Sequence, residues 1–289
     1  MANRRPIKSV GLCLKPGSSE AGEVARTLER WLTERGVEVQ LDAEARHPLG
    51  ADGRSREDHA SHADLLVVLG GDGTLLAAAR EAGTGEVPIL GVNLGTLGFL
   101  AEVAPEELFE VLEKVLEGEF ETVARMRLRV IARRGDEVLA DALALNDAVI
   151  TRSELSRMID LRTLADGVPV ATYHGDGLIV STPTGSTAYT LSAGGPILMP
   201  GSRVYVLTPI CPHTLTQRPL VLGESTGIEI RVFPRDGTAQ LTIDGQIGVN
   251  LQAGDVVRIG VSSHPARFVV SPFRSRFDVL RAKLHWGAD

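Results

Sequence analysis

Apolar residues are arranged differently in the two halves of the chain. Up to about residue 120, short apolar runs alternate with segments of helical spacing. The run Leu65–Leu69 has no polar member, as expected of a parallel strand that is buried on both faces. The segment from Glu20 to Arg35 places its apolar residues on one helical face. Strands that alternate with helices predict a doubly wound parallel α/β sheet.

Beyond residue 120, short strands follow one another without a helix of ordinary length between them. Arg127–Arg133 and Val138–Leu145, for example, are separated by the turn Arg134-Gly135-Asp136. This pattern predicts an all-β domain, a sandwich of antiparallel sheets. Helical spacing returns at Phe277–Leu284 and predicts a segment that packs back on the first domain. The predicted division is 1–122 (α/β), 123–270 (all-β) and 271–289 (C-terminal segment).

Charge and cysteine content exclude several classes of protein. A net charge of −7 and a pI near 5.6 argue against a nucleic-acid-binding protein, which would present a basic face. Cys13 and Cys211 show no CxxC spacing, so neither a disulfide nor a zinc site is predicted. No apolar run suits a signal peptide or a membrane span. We therefore expect a soluble, cytoplasmic protein without a membrane partner.

The strand Leu65–Leu69 runs into the glycine-rich segment Gly70-Gly71-Asp72-Gly73-Thr74. Glycines allow a ligand to approach the backbone closely, and Thr74 is predicted to cap the following helix, whose free amides favour anions. A carboxylate among such amides indicates a site that needs a negative group beside a phosphate: a base, or an anchor for hydroxyl groups or metal. The alternative is a simple strand-to-helix turn in which Asp72 bonds its own backbone.

Three stretches of the second half are unusually polar for strand ends. Asn146-Asp147 could hold a vicinal diol such as ribose, or could form a turn. The five hydroxyl residues between Ser181 and Thr187, with Gly185, favour contacts to sugar or phosphate oxygens over a structural loop. Asp244-Gly245 predicts above all a hairpin turn, although the adjacent Gln246 could present its amide to a base edge.

Together these motifs resemble the NAD kinase family. Gly70–Thr74, Asn146-Asp147 and Asp176–Tyr189 occur in the order typical of that family, and the similarity covers nearly the whole chain. Further matching motifs are Pro209–His213, Arg218-Pro219, Asp244-Gly245-Gln246 and Leu280–Gly287. The first motif alone is shared with diacylglycerol kinases, sphingosine kinases and phosphofructokinases.

The resemblance implies an enzyme that phosphorylates the adenosine ribose 2′-hydroxyl of NAD, using ATP or in some members polyphosphate. It also implies a divalent metal ion, Mg²⁺ or Mn²⁺. Because the sequence shows no cluster with zinc- or calcium-type spacing, we expect this ion to arrive with ATP and not to be held by metal-binding residues of the protein. The all-β domain is then the dinucleotide-binding domain. NAD would bind between the domains and a neighbouring subunit of a homodimer or homotetramer.

The resemblance also implies roles for individual residues. Asp72 would be the general base, and Asp72 and Gly73 would line the NAD pocket. Asn146 and Asp147 would anchor ribose or adenine. The remaining positions that match ligand contacts in the family are Arg157, His174, Asp176, Thr187, Ala188, Tyr189, Thr190, Leu191, Ser192, Cys211 and Gln246. One departure concerns Ala77, where the family often carries a basic residue.

Two other functions are compatible with parts of the sequence. A lipid kinase shares the aspartate signature, but the sequence shows no amphipathic membrane-binding element. A dinucleotide-binding sensor without catalytic activity would need no aspartate at position 72, and its presence favours the enzyme.

Overall fold

The computed structural model of the protein describes residues 6–41, 62–95, 98–153, 158–235 and 237–287. The chain divides into two units, Met1–Ala124 with Ala266–Asp289, and Arg125–Pro265. The first unit contains a parallel sheet with helices, and the second contains antiparallel sheets. The predicted fold class, an α/β domain and a β-sandwich domain with a returning C-terminal tail, is confirmed.

The described residues of the first unit form one sheet, with the strands β1 (Ser9–Leu14), β2 (Glu38–Leu41), β3 (Leu65–Gly70), β4 (Pro88–Asn93), β5 (Thr122–Arg125) and β18 (Ala266–Val269). Their order in the sheet is β2-β1-β3-β4-β18-β5. Every residue of β1 and β3 is buried, because the sheet packs within the core of this unit. The helices are α1 (Ser19–Glu34), α2 (Asp72–Glu81), α3 (Leu108–Leu116, after a 3-10 turn at Pro105–Glu107) and α5 (Arg276–Leu284).

Two details of this unit differ from the sequence-based expectation. Helix α2 begins at Asp72 with Gly71 as its N-cap and without a side-chain cap, so the predicted capping role of Thr74 is wrong. The segment Ala266–Val269, which the sequence placed in the all-β domain, pairs in parallel with β4 instead. Such pairing joins residues about 180 positions apart and leaves no local sign in the sequence.

The second unit consists of two six-stranded antiparallel sheets that share one hydrophobic core. The first sheet has the order β10-β9-β14-β17-β6-β7, from β6 (Leu128–Arg134), β7 (Glu137–Ala144), β9 (Ile159–Ala165), β10 (Val168–Gly175), β14 (Ile228–Pro234) and β17 (Val256–Val261). The second has the order β13-β12-β11-β8-β15-β16, from β8 (Asp147–Arg152), β11 (Gly177–Ser181), β12 (Val204–Ile210), β13 (Leu220–Gly223), β15 (Ala239–Ile243) and β16 (Ile247–Leu251). A 3-10 turn at Gly185–Thr187 and the short helix α4 (Tyr189–Ser192) follow β11.

No helix among the described residues is long and apolar enough to span a membrane.

Candidate active site

The Asp72 carboxylate is fixed by three consecutive backbone amides. Phe99 N donates to Asp72 Oδ2 at 2.8 Å, while Leu100 N and Ala101 N donate to Oδ1 at 3.0 and 3.1 Å. Asp72 lies at the start of α2, directly after β3 and beside the amides of the first helical turn. Its side chain therefore does more than close a strand-to-helix turn, because it determines the path of a loop 27 to 29 residues later in the sequence.

Gly98 makes this arrangement possible. A Cβ atom at this position would lie 2.1 Å from Asp72 Oδ1, which is closer than any real contact. Gly70 is required for a similar reason, because its Cβ would lie 2.5 Å from Thr74 Oγ1. The sequence motif contains Gly70 and Asp72, but nothing in it indicates that Gly98 completes the same site.

A second carboxylate fixes the loop that carries Asn146 and Asp147. Asp244 Oδ1 accepts from Asn146 N at 2.7 Å and from Asp147 N at 3.1 Å, and Oδ2 accepts from Leu145 N at 2.9 Å. Asp244 and Gly245 have positive φ angles, so the predicted hairpin turn between β15 and β16 is present. The sequence identified the turn and missed the second role of the Asp244 side chain.

Asp147 and Asp244 form a pair of buried carboxyl groups, with residue exposures of 5% and 6%. Burial raises the pKa of Asp147, and the negative charge of Asp244 raises it further, to about 7. Near neutral pH a large fraction of Asp147 is therefore protonated. In that state its hydroxyl group donates a hydrogen bond, which an ionised carboxylate does not do.

The hydroxyl groups between Ser181 and Thr187 donate hydrogen bonds mainly to backbone carbonyl groups of the protein. Thr182 Oγ1 donates to Leu145 O at 2.6 Å, and Ser181 Oγ donates to Asn146 O at 3.2 Å. Ser186 Oγ and Thr187 Oγ1 donate to backbone carbonyls three residues earlier. These residues are buried, and a Cβ on Gly185 would lie 2.2 Å from Asn146 O. The stretch thus supports the Asn146 loop, whereas the sequence pattern favoured ligand contacts over a structural role.

The next predicted residues lie just beyond this support. Thr187 ends the 3-10 turn and Ala188 joins it to α4. In α4, Thr190 is buried, whereas Tyr189 is 45% exposed and Ser192 is exposed. Gln246 follows the Asp244-Gly245 turn. Strand pairing of Ser181 with Asp147, and of Ile243 with Ala148, places all these segments at one end of the second sheet.

A different group of predicted residues lies near the opposite end of that sheet, with His174 on β10 of the first sheet. His174 Nδ1 is 2.8 Å from Asp160 Oδ1, and Arg152 Nε donates to Asp176 Oδ1 at 2.8 Å. Cys211 follows β12, is exposed and has a positive φ of 44°. Backbone hydrogen bonds from Asp176 N to Ile210 O and from His213 N to His174 O tie its turn to the end of β10. Asp160 is a neighbour that the sequence did not identify.

The predicted dinucleotide contacts of the second unit thus form two groups. Strand β11 separates them, since Gly177 pairs with Thr151 at one end and Ser181 pairs with Asp147 at the other. At roughly 3.3 Å per residue the two ends are about 13 Å apart. Arg157, the remaining predicted contact, lies outside the described residues.

Family models match both units of the chain. The model for the ATP-NAD kinase N-terminal domain matches residues 10–120, and the model for the ATP-NAD kinase C-terminal domain matches residues 145–271. The chain is 46% identical over 282 residues to the NAD kinase of Geobacter sulfurreducens, covering 97% of this chain and 99% of that protein. The NAD kinase of Solibacter usitatus is likewise 46% identical, with coverage of 97% and 98%.

The chain belongs to the NAD kinase family. The prediction of an NAD kinase from the sequence motifs is confirmed, and with it the prediction of an enzyme that binds NAD and ATP. The comparisons give no support to the lipid kinase or the sensor without catalytic activity.

Two solved structures have the same fold as this NAD kinase family member. Yeast NADH kinase in complex with NADH has a TM-score of 0.91 and 27% identity, covering 99% of this chain and 90% of the other. An NAD kinase from Archaeoglobus fulgidus in complex with ATP has a TM-score of 0.78 and 29% identity, covering 96% and 98%.

Proposed function

We propose that the chain transfers the terminal phosphoryl group of ATP to the 2′-hydroxyl of the adenosine ribose of NAD. The observation that carries this proposal is the Asp72 carboxylate, which is fixed by three amides at the carboxyl end of β3. Phosphoryl transfer depends mainly on positioning and on charge, so a rigidly held carboxylate beside a helix N-terminus suits the acceptor hydroxyl.

Asp72 has room for one further hydrogen bond of the kind that this role requires. Within the part of the chain that the structure describes, Oδ1 accepts two amide hydrogens, whereas Oδ2 accepts only that of Phe99. Each carboxylate oxygen has two lone pairs, so Oδ2 retains one for a substrate hydroxyl. We infer that Oδ2 takes the proton of the 2′-hydroxyl as the oxygen attacks phosphorus.

Asn146, Asp147 and Gln246, with Thr187–Ser192, are proposed to hold the adenosine part of the dinucleotide. This is supported by their shared position at one end of the second sheet and by the rigid support beneath Asn146. Protonated Asp147 would donate a hydrogen bond to a ring nitrogen or hydroxyl oxygen, and the Asn146 amide would both donate and accept. Gly73, in the first turn of α2, is proposed to contact the dinucleotide.

His174, Asp176 and Cys211, with Arg157, are proposed to contact dinucleotide that is bound mainly by another copy of the chain. The location of His174, Asp176 and Cys211 near the far end of β11 supports this assignment, since one copy would then contribute to two sites. The protein would accordingly be a homodimer or homotetramer. Sedimentation of the purified chain, with and without NAD, tests the assembly directly.

A divalent metal ion, Mg²⁺ or Mn²⁺, is proposed to arrive with the phosphates of ATP. Among the described residues, no three His, Cys, Asp or Glu side chains are grouped so as to hold a metal ion. The ion would neutralise phosphate charge when bound. We also propose a cytoplasmic location, where NAD and ATP are available and where Cys13 and Cys211, which form no disulfide, would stay reduced.

The test is a product assay with the purified protein, NAD, ATP and Mg²⁺. An NADP-specific dehydrogenase would detect the product, and phosphorus NMR would locate the new phosphate on the ribose. We expect NADP in equal amounts with ADP. A product phosphorylated at another hydroxyl, or ADP release that does not depend on NAD, would refute the proposal. Parallel reactions with polyphosphate and with NADH determine the range of donors and acceptors.

A further inference from the structure

The C-terminal helix contacts the loop that fixes Asp72. Arg276, the first residue of α5, donates from Nη1 to Phe99 O at 2.8 Å. From the last turn of the same helix, Lys283 Nζ lies 6.0 Å from the centre of the Phe99 ring. Ser275 and Asp278 cap α5 reciprocally, which fixes the position of Arg276. Phe99 is thus held from two points on one helix.

The peptide group between Phe99 and Leu100 connects Arg276 to Asp72. Its carbonyl oxygen accepts from Arg276, and its N–H, on Leu100, donates to Asp72 Oδ1 at 3.0 Å. A cation at the oxygen polarises the peptide and makes the N–H a stronger donor, since hydrogen bonds in a chain reinforce one another. Arg276 therefore strengthens the contact that orients the carboxylate.

The Arg276 side chain is largely buried, so solvent screens its charge only weakly. It is 15% exposed and lies 3.7 Å from Glu102 Oε1, which is equally buried. Burial lowers the pKa of Arg276, while the negative charges of Glu102 and Asp72 oppose this shift, and the guanidinium stays protonated. Its Nε is buried and meets no acceptor among the described residues. An incompletely paired buried cation near Asp72 is costly to keep, which argues that it has a task there.

We propose that Arg276 is a positioning residue for the phosphoryl transfer, acting on Asp72 through the backbone of Phe99 and Leu100. The C-terminal segment would thereby be part of the catalytic apparatus of the α/β unit. This inference rests on the proposed role of Asp72 as the base. It also assigns a basic residue to this site in a chain that carries Ala77 where the family often has one.

Arg274 provides a matched control. It belongs to the same segment and contacts the same loop, donating from Nη1 to Glu102 O at 3.0 Å and to Glu107 Oε2 at 2.5 Å. These contacts lie further along the loop and do not involve the peptide groups that donate to Asp72. Removal of Arg274 would therefore loosen the same loop without breaking the connection between Arg276 and the Asp72 carboxylate.

The experiment compares Arg276→Gln, Arg276→Lys and Arg274→Gln by steady-state kinetics and thermal unfolding. A displacement of the base of about 1 Å can lower a rate by about 100-fold, so we expect Arg276→Gln to lower kcat by about 10- to 100-fold. KM for ATP and for NAD should change by less than about threefold. Arg276→Lys keeps the charge and one donor and should lose only about threefold in kcat. Arg274→Gln should stay within about twofold of the wild type.

A double-mutant cycle with Asp72→Asn separates positioning from an independent role. If Arg276 acts through Asp72, Arg276→Gln has almost no further effect on kcat in the Asp72→Asn background. Effects that multiply, or equal losses in Arg276→Gln and Arg274→Gln, would overturn the inference. If Arg276→Gln does not fold, Arg276→Lys is the test. A kcat of Arg276→Lys equal to that of the wild type would then overturn the inference. A normal kcat in Asp72→Asn alone would instead refute the proposed base.

Discussion

Replacement of Asp147 by asparagine should stabilise the protein, and more so as the pH rises. In the folded chain the pKa of Asp147 is raised from 3.8 to about 7, first by burial and then by the charge of Asp244. Between about pH 4 and pH 7, Asp147 is therefore protonated in the folded state and ionised in the unfolded state. Stability falls as the pH rises through this window, and above pH 7 the full destabilisation remains. Asparagine has a similar shape and carries no charge at any pH.

The size of the effect on stability follows from the pKa shift of Asp147. A difference of about three pH units corresponds to at most about 4 kcal/mol, at about 1.4 kcal/mol for each unit. If half of this is realised, Asp147→Asn gains about 2 kcal/mol at pH 8 relative to its effect at pH 4. For a domain of this size that is a rise in Tm of about 6 °C.

Thermal unfolding of both proteins between pH 4 and pH 8 measures this effect. Asp141→Asn serves as a control of opposite sign, since the hydrogen bond from Arg129 lowers the pKa of that exposed carboxyl group. Its removal should reduce stability at neutral pH. An advantage of Asp147→Asn that does not grow with pH would refute the argument that Asp147 is held in its neutral form.

Three further outcomes are expected. Asp72→Asn should lower kcat by about 10²- to 10⁴-fold with a modest change in NAD affinity by calorimetry; near-normal kcat would contradict the base. Because this variant turns an amide group toward the Phe99 N–H, some loss of Tm is also expected. Gly98→Ala should lower kcat because the new Cβ displaces the Asp72 carboxylate, whereas Gly95→Ala, where a Cβ meets nothing within 4 Å, is the control. Activity should vanish with EDTA and return with Mg²⁺ or Mn²⁺, and a tightly bound stoichiometric metal in nucleotide-free protein would contradict recruitment with ATP.

The sequence predicts those parts of the fold that local pattern determines. The uninterrupted apolar run Leu65–Leu69 became a fully buried parallel strand, and Asp244-Gly245 became a hairpin turn. Strand β11 escaped recognition because Gly177–Ser181 lies inside a stretch rich in glycine and hydroxyl groups. Strand β18 escaped because its partner β4 is distant in sequence. Local pattern carries no information about such pairing.

A similar limit applies to the candidate site. The sequence shows which types of residue are present but not what each side chain contacts. Sequence motifs drew attention to polar residues, but the sequence does not distinguish a hydroxyl group that binds a ligand from one that binds a backbone carbonyl. Ser181 and Thr182 turned out to support Asn146 and Leu145, and only their burial and partners reveal this. His174 was indicated by its motif, whereas Asp160, which orients it, is an ordinary acidic residue on a neighbouring strand.

The two carboxylates of the motifs share one arrangement. Asp72 and Asp244 each accept hydrogen bonds from three consecutive amides of a distant loop. Asp72 accepts these bonds from the start of α2, and Asp244 accepts them from the hairpin turn between β15 and β16. Because the amides and not the side chains of the loops make these bonds, the loops tolerate changes of side chain that the aspartates do not. The positions of these loops therefore depend on the two aspartates.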